Sequence, residues 1–451
     1  MITKYIFASA ITLDSAYGLV IGASLILVLS YFFNLIAKRT NIPSPLLLII
    51  LGIILKLSLT WARDQGFIGS DEIPFEGVIL EFVGTVGLIF IVLEGALDLK
   101  LSREKWPLIW RSLVVALLGL LGSVAAIASL FEVFIFDNIW QSVLYAIPLA
   151  IMSSAIIIPS VIGLEEDQKE FMIYESTFSD ILGIMFFQLL LGNTDATGAG
   201  EVAVNICTNI GLTVVLSLVV CYALVYVLQR ITGQVKLFLT VAILALLYVL
   251  GKSMDLSSLI MILVFGLMLN NNGVFWRGSR LAKAIDNKKL KRILHDFHVL
   301  TLETSFVVRT FFFVIFGMTI SLAALVDISV AFYSLLVIVA LYVVRLGFLF
   351  LLKRKHIFPL LYIAPRGLIT ILLFFKIPAD APAEWVSEDF NEGILLFVII
   401  ATSIVMTISL IQNGLRPNME LVSSEERDEK TEPLPDDRSG NGDENPTTME
   451  R

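Results

Sequence analysis

The sequence predicts an all-α polytopic membrane protein, with about thirteen transmembrane helices in residues 1–414. Of its 451 residues, 57% are hydrophobic and 16% are charged, whereas soluble domains carry roughly 25% charged residues. Apolar runs of about 20 residues recur along most of the chain, and each is about long enough to cross the hydrocarbon layer as a helix. Because the bilayer core offers no partner to backbone polar groups, runs of this length are expected to be helical.

The predicted spans are the apolar runs that reach this length. They lie at approximately 16–37, 44–60, 77–97, 108–135, 142–163, 170–192, 204–229, 235–251, 256–271, 299–321, 328–352, 357–377 and 392–414.

Lysine and arginine mark one side of the predicted bundle. Most bases follow odd-numbered spans, as at 38–39, 277–292 and 353–355, while the opposite loops are acidic, as at 71–72 and 380–392. Because basic loops stay in the cytoplasm, we expect an external N-terminus and a cytoplasmic C-terminus. The expected location is the plasma (inner) membrane.

The spans divide into two sets of six, joined by one. The first repeat covers about 16–192, a linker helix covers 204–229, and the second repeat covers about 235–414. With one helix between them, the two six-helix repeats run with opposite topology, as inverted repeats do in many transporters.

Spans five and twelve occupy corresponding places in the two repeats, and helix breakers interrupt both. We therefore expect two broken helices that cross near the midplane, which is where such transporters bind their substrate. The breakers are Pro148, Ser153, Ser154 and Pro159 in span five, and Pro359 and Ala364-Pro365-Arg366-Gly367 in span twelve.

Two segments are expected outside the bundle. Residues 270–298 form a basic loop in which apolar residues recur near helical spacing. This predicts an amphipathic helix on the anionic inner leaflet at 277–292, with a solvated connector as the alternative. The acidic segment 415–451 is rich in proline, glycine and serine, and it is expected to be disordered in the cytoplasm. No nucleic-acid partner is expected.

Two carboxylates enter span six. Asp180 lies inside the span, and Ser176 shares its helix face at a spacing of i, i+4, whereas Glu175 points in another direction. A charge in a membrane span is costly and usually functional. A carboxylate there that can hold either a proton or a cation has the minimum chemistry for ion exchange.

Intramembrane arginines accompany these acids in spans ten, eleven and twelve. A buried arginine stays charged, so it must be paired or must face water. The arginines are Arg309, Arg345 and Arg366, and the available acids are Glu175, Glu94, Asp98, Glu303 and Glu81. His295, His298 and His356 are expected at the cytoplasmic edge, away from the buried acids, so an enzyme is not expected.

Four short motifs, in order along the spans, resemble those of monovalent cation:proton antiporters of the NhaP and sodium/hydrogen exchanger type. The motifs are Glu175-Ser176-x-x-Ser179-Asp180, Leu93-Glu94-Gly95-Ala96-Leu97-Asp98-Leu99, Pro365-Arg366-Gly367 and Phe311-Phe312-Phe313-Val314-Ile315-Phe316-Gly317.

The resemblance implies a secondary antiporter that exchanges Na⁺, or Li⁺ or K⁺, for H⁺ without a cofactor. It implies that Asp180 binds the monovalent cation and that Glu175 forms a structural ion pair with Arg345. Homodimers are usual in that family. The remaining site residues implied are Ser153, Ser154, Ser176, Thr177 and Ser179 as oxygen donors, and Pro159, Arg366 and Gly367 as support for the broken helices.

The sequence departs from the family pattern beside the first break. Ile156-Ile157-Ile158 precede Pro159 where the family carries Thr-Asp, and Ser179 replaces an asparagine. This leaves two alternatives open: a transport-inactive or sensor protein of the same fold, and a sodium-coupled symporter of an organic anion. For an antiporter we expect one-for-one electroneutral exchange, with spans 3, 5, 6, 10 and 12 rocking against the others.

Overall fold

All regular elements in the described part of the chain are helical, which confirms the predicted class. The structure is a computed structural model, and it describes residues 16–40, 42–65, 76–102, 104–161, 163–193, 204, 208, 211–223, 236–254, 256, 258–271, 287–319, 327–353, 357–387 and 390–413.

The helices follow the predicted spans in order. The first repeat contains α1 (Ala16–Thr40), α2 (Ser44–Asp64), α3 (Glu76–Asp98), α4 (Trp106–Phe134), α5 (Ile139–Ala150), α6 (Ser154–Ser160) and α7 (Glu166–Leu191). The predicted linker contains α8 (Gly211–Ala223). The second repeat contains α9 (Lys236–Ser253), α10 (Ser258–Asn270), α11 (Asn287–Thr319), α12 (Ile328–Lys353), α13 (Leu368–Asp380), a 3₁₀ turn (Ala383–Trp385) and α14 (Gly393–Gln412).

Every predicted span thus contains a helix, and 7 helical stretches among the described residues are long and apolar enough to cross a membrane. One helix extends well beyond its predicted span, because α11 begins at Asn287 whereas the span was predicted from about 299. Its first turns are rich in charged residues, which hides the helix from a hydropathy criterion. Residues 287–292 of the expected basic loop are therefore the start of α11. The part at 272–286 and the tail at 415–451 lie outside the described residues.

The helices pack as two groups. One group, which we call the panel, contains α1, α2, α3, α9, α10 and α11, and the other, which we call the core group, contains α4 to α7 and α12 to α14. Contacts between the groups are sparser and are made mainly where α7 and α13 face α3 and α10. The expected bundle of spans 3, 5, 6, 10 and 12 is therefore wrong, because spans 3 and 10 belong to the panel.

The contacts repeat between the two halves of the chain, as expected for inverted repeats. The packing of α2 on α11 has its counterpart in α10 on α3, and that of α4 on α7 has its counterpart in α12 on α14. In two further contacts, α3 with α11 and α4 with α12, a helix packs on its own counterpart in the other repeat. These contacts join the halves. Each group thus contains helices from both repeats.

Small residues explain why α2 and α3 join the panel. A Cβ on Gly52 would lie 2.2 Å from the Val314 carbonyl oxygen, and one on Gly317 would lie 2.3 Å from that of Ile49. At the matching place, a Cβ on Gly266 would lie 2.6 Å from the Ala96 Cβ. Such backbone approach is the usual packing device in lipid, where no hydrophobic force drives helices together.

Candidate functional site

Both interrupted spans lie in the core group, and their non-helical stretches meet. The first stretch, residues 151–153, separates α5 from α6, and the second, residues 363–367, precedes α13. The Ser153 N–H donates to the Pro365 carbonyl at 3.0 Å. Gly367 permits this approach, since a Cβ there would lie 2.5 Å from Ser153 Oγ. The predicted crossing is present, although turns at 358–362 replace the first half of the second broken helix.

Asp180 points from α7 towards the first break and is buried. Its Oδ2 accepts a hydrogen bond of 3.1 Å from the Ser154 N–H, at the start of α6. Its Oδ1 is also buried and has no hydrogen-bond partner in the described part of the chain. One carboxylate oxygen is thus held by the protein, while the other is available to a proton or a cation.

The predicted hydroxyl donors divide into two sets. Ser179 Oγ accepts from the Met152 N–H at 3.0 Å, so it supports the break beside Asp180. The hydroxyls of Ser176 and Thr177 donate instead to the carbonyl of Ile173 in their own helix, at 3.2 and 2.8 Å. The structure therefore places Ser179 and Ser154 at the break, together with Ser153, and turns Ser176 and Thr177 back onto α7.

Glu175 forms a buried ion pair with Arg345 of α12. Arg345 Nη1 and Nη2 lie 2.7 and 3.2 Å from the two carboxylate oxygens. The same guanidinium donates to the carbonyls of Leu360 and Leu361, at 2.9 to 3.2 Å. This pair is fully coordinated, which makes it a fixed strut between α7, α12 and the second interrupted span.

Arg366 balances the partial negative charge at the C-terminus of α5, where carbonyl groups have no partner within the helix. Its Nε donates to the Leu149 carbonyl at 2.8 Å, and its backbone N–H donates to Thr402 Oγ1 at 3.1 Å. A cation at a helix C-terminus and an anion at a helix N-terminus are both favourable. Arg366 at the end of α5 and Asp180 at the start of α6 therefore each carry the sign of charge that the neighbouring helix end favours.

Of the isoleucines that replace the Thr-Asp pair of the family pattern, Ile156 approaches Gly367 at the crossing, and Ile157 packs among apolar side chains. Ile157 is fully buried in an apolar cluster that includes Met172 and Val161. Pro159 is exposed near the end of α6. Their positions show that the side chain at 157 faces apolar neighbours, and the oxygen-rich side of the break is formed by Ser153, Ser154 and Ser179.

A second group of charges lies in the panel. Arg309 Nη2 lies 3.3 Å from Glu94 Oε1, and His298 Nε2 lies 3.0 Å from Asp98 Oδ1. Glu303 is exposed on α11. His298 contacts Asp98, a partly exposed acid at the end of α3, because α11 begins early and carries this histidine alongside it.

A small cavity adjoins the fixed ion pair. It has a volume of about 20 Å³ and is lined by Glu175, Ser179, Arg345 and Arg366, among others. A cavity of this size holds about one water molecule. It lies on the Ser179 side of α7, and Asp180 does not line it.

Several supporting groups were missed by the sequence analysis. Most are backbone atoms, namely the N–H of Met152 and the carbonyls of Leu149 and Leu360. The side chain of Thr402 was also missed. Its signal was the Thr402-Ser403 pair in the apolar run of span thirteen, which also carries Thr407 and Ser409.

Comparisons with known proteins agree with this fold. Two solved structures of the sodium/proton antiporter MjNhaP1 from Methanocaldococcus jannaschii are similar to the chain, each at 22% identity. Their TM-scores are 0.63 and 0.62, and they cover 89% and 93% of this chain and 100% of their own. Among curated proteins, none matches significantly. The profile of the family described as "Sodium/hydrogen exchanger, transmembrane" matches residues 24–412. The chain therefore belongs to the sodium/hydrogen exchanger family, a family of secondary transporters that carry out cation/proton antiport.

Proposed function

We propose that this protein exchanges a monovalent cation for protons, one for one, by competition at Asp180. Na⁺ is the favoured cation, with Li⁺ and K⁺ as further candidates. The observation that carries the proposal is the unpartnered Asp180 Oδ1, which is buried beside an interrupted helix. Ser154, Ser153 and the carbonyls of the break supply further oxygen atoms, the ligand type that hard cations prefer.

The fixed Glu175–Arg345 pair supports the stoichiometry. Its carboxylate is already held by two guanidinium nitrogens, so it offers no exchangeable charge. Asp180 then holds either one proton or one cation, and the charge carried in the two directions is equal. Exchange is therefore electroneutral.

The division into two helix groups supports a transport movement. Asp180 and both interrupted spans belong to the core group. The helices of this group contact one another more extensively than they contact the panel. Displacement of the core group relative to the panel would expose Asp180 to each side in turn. The membrane orientation that we propose has an external N-terminus and a cytoplasmic C-terminus, in the plasma membrane. We also propose a homodimer.

Asp180→Asn tests the proposal in proteoliposomes that contain a pH-sensitive dye. The variant is expected to lose Na⁺-driven proton movement, because a neutral amide cannot alternate between a proton and a cation. Asp327→Asn is the matched control, since Asp327 is exposed and bonds within the first turn of α12, to Ser329 and Val330. Undiminished exchange by a folded Asp180→Asn protein would sink the assignment.

The stoichiometry has a separate test. Exchange with Na⁺, Li⁺ and K⁺ is measured beside a voltage-sensitive dye, without a permeant counter-ion. We expect proton movement without a membrane potential, and a potential that follows the imposed Na⁺ gradient would contradict one-for-one exchange.

One observation favours the second candidate, a transport-inactive sensor of the same fold. Ile157 occupies the position of a polar family residue and packs among apolar side chains. A sensor would bind the cation without cation-dependent proton movement. Detection of exchange in the proteoliposome assay removes this alternative.

A further inference from the structure

Arg309 and Glu94 form an ion pair of a different kind from Glu175 and Arg345. The structure shows one contact of 3.3 Å between them, and their side chains are 21% and 13% exposed. In the fixed pair, the shorter contact is 2.7 Å and the side chains are 8% and 2% exposed. The panel pair is thus longer, singly bonded and partly accessible, so it is easier to separate.

Glu94 lies where the panel meets the ion site. Its neighbour Gly95 lies against α7, since a Cβ on Gly95 would lie 3.3 Å from Thr177 Cγ2. Thr177 is about one helical turn from Asp180, so Glu94 and Asp180 lie on neighbouring turns of two helices, α3 and α7, that are in contact. The charge on Glu94 therefore acts on Asp180 when the two helix groups are in this arrangement.

The charged groups that face Glu94 come from three helices. Arg309 and His298 come from α11 and Asp98 from α3 itself, and Asp180 lies on α7, which packs on α3. His298 pairs with Asp98. Of the described groups around Glu94, Arg309 is the one with a permanent positive charge. It neutralises the Glu94 carboxylate, which would otherwise place a second negative charge near Asp180.

We propose that Arg309 is a fixed counter-cation. It neutralises the charge of Glu94 and so leaves a single exchangeable negative charge at the ion site. The inference rests on the proposed exchange at Asp180. Arg309 belongs to the panel and Asp180 to the core group, so the counter-cation does not travel with the transported ion. It sets the affinity and the pH range of exchange while contacting neither the cation nor Asp180.

Removal of the two charges one at a time is expected to have opposite effects. Arg309→Gln leaves two carboxylates together, which lowers the KM for Na⁺ and moves the pH of half-maximal exchange upward. Glu94→Gln leaves an unpaired positive charge, which raises the KM and moves that pH downward. The expected shifts are on the order of one pH unit, as for a unit charge about 10 Å away in a medium of effective dielectric about 20.

The double variant and two controls distinguish this role from a structural one. Arg309→Gln with Glu94→Gln restores neutrality and is expected to return the midpoint towards the wild-type value, and Arg309→Lys is expected to keep it. Lys105→Gln and Glu170→Gln break a more exposed ion pair elsewhere, and neither is expected to move the midpoint. Size-exclusion chromatography and melting curves in detergent check that each variant is folded.

The outcomes separate the inference from the function on which it rests. Wild-type protein without exchange, or an active Asp180→Asn variant, overturns the proposed function and the inference with it. If the wild type exchanges and Asp180→Asn does not, the proposed function stands, and the remaining variants test only the role of Arg309. The inference then fails if the two single variants shift in the same direction, or if the double variant keeps either shift.

Discussion

Arg345 divides its donors between one carboxylate and the carbonyls of a neighbouring chain segment. Removal of one member of such a buried pair strands a charge, which typically costs about 3–5 kcal/mol of stability. The Glu175 carboxylate balances a guanidinium that also holds Leu360 and Leu361. The main effect of the Glu175 carboxylate is therefore on the stability of the core group.

Glu175→Gln is expected to lower the free energy of unfolding by about 3–5 kcal/mol, because Arg345 then lacks its counter-charge. Melting in detergent measures the loss. Glu170→Gln is the control, since it breaks a more exposed pair worth at most about 1 kcal/mol. Addition of Arg345→Met to Glu175→Gln is expected to recover part of the loss. Equal melting temperatures for Glu175→Gln and wild type would contradict this role.

The sequence predicted the charged residues of the site better than their polar partners. The pairing of Glu175 with Arg345 came from the resemblance to the antiporter family, because the need of each buried charge for a partner left several acids available. The N–H groups of Met152 and Ser154 could not be found, since every residue type except proline carries one and no side-chain pattern marks it. The contact of His298 with Asp98 was not predicted, because the polar start of α11 carries no hydropathy signal.

Among the helices, the interruption in span five does not occur at either proline. Pro148 lies inside α5 and Pro159 inside α6, and the chain leaves the helix between them, at 151–153. Prolines predicted that the span is broken, because each removes a hydrogen-bond donor. They could not give the position of the break, which the contacts with Pro365 and Ser179 stabilise.

Gly367→Ala is expected to disturb this crossing, because the new Cβ would lie 2.5 Å from Ser153 Oγ and 2.8 Å from Ser153 Cβ. Overpacking of this kind costs about 1–3 kcal/mol, and displacement of the Ser153 segment beside Asp180 should also slow exchange. Melting and proteoliposome exchange are both measured.

Two further variants make the interpretation of Gly367→Ala specific. A Cβ on Gly347 meets nothing within 4 Å, so Gly347→Ala is expected to be neutral or stabilising by up to about 1 kcal/mol. Ser153→Gly removes the clashing atoms and should partly rescue Gly367→Ala. A loss of the same size in Gly347→Ala would show that the effect is not local to the crossing.

For the molecule as a whole, hydropathy predicted the spans but not which of them pack together. Spans 3 and 10 were expected to move with span 6, and all three spans carry intramembrane charges. Their packing is decided instead by glycines such as Gly52, Gly266 and Gly317, which allow close approach within the panel. Small residues are common in membrane helices, so their partners cannot be read from one sequence.

The boundary between the panel and the core group makes a prediction about movement. Lys252 of α9 and Asp380 of α13 are joined across it at 3.3 Å, and one helical turn deeper Lys376 Nζ donates to Tyr248 Oη at 3.1 Å. If the groups move past each other, these contacts must separate in each cycle. A covalent link at this place is then expected to stop exchange.

Cysteines at 252 and 380, in a background without Cys207 and Cys221, can be joined by a short bifunctional thiol reagent. Exchange is expected to cease on linking and to return when a cleavable reagent is reduced, while each single-cysteine variant stays active after the same treatment. Cysteines at 105 and 170 are the matched control, because both positions belong to the core group side, where Lys105 contacts Glu170. Their linking should leave exchange intact. Continued exchange with the 252–380 link in place would mean that this boundary stays closed throughout the cycle, and that access to Asp180 changes by a smaller movement within the core group.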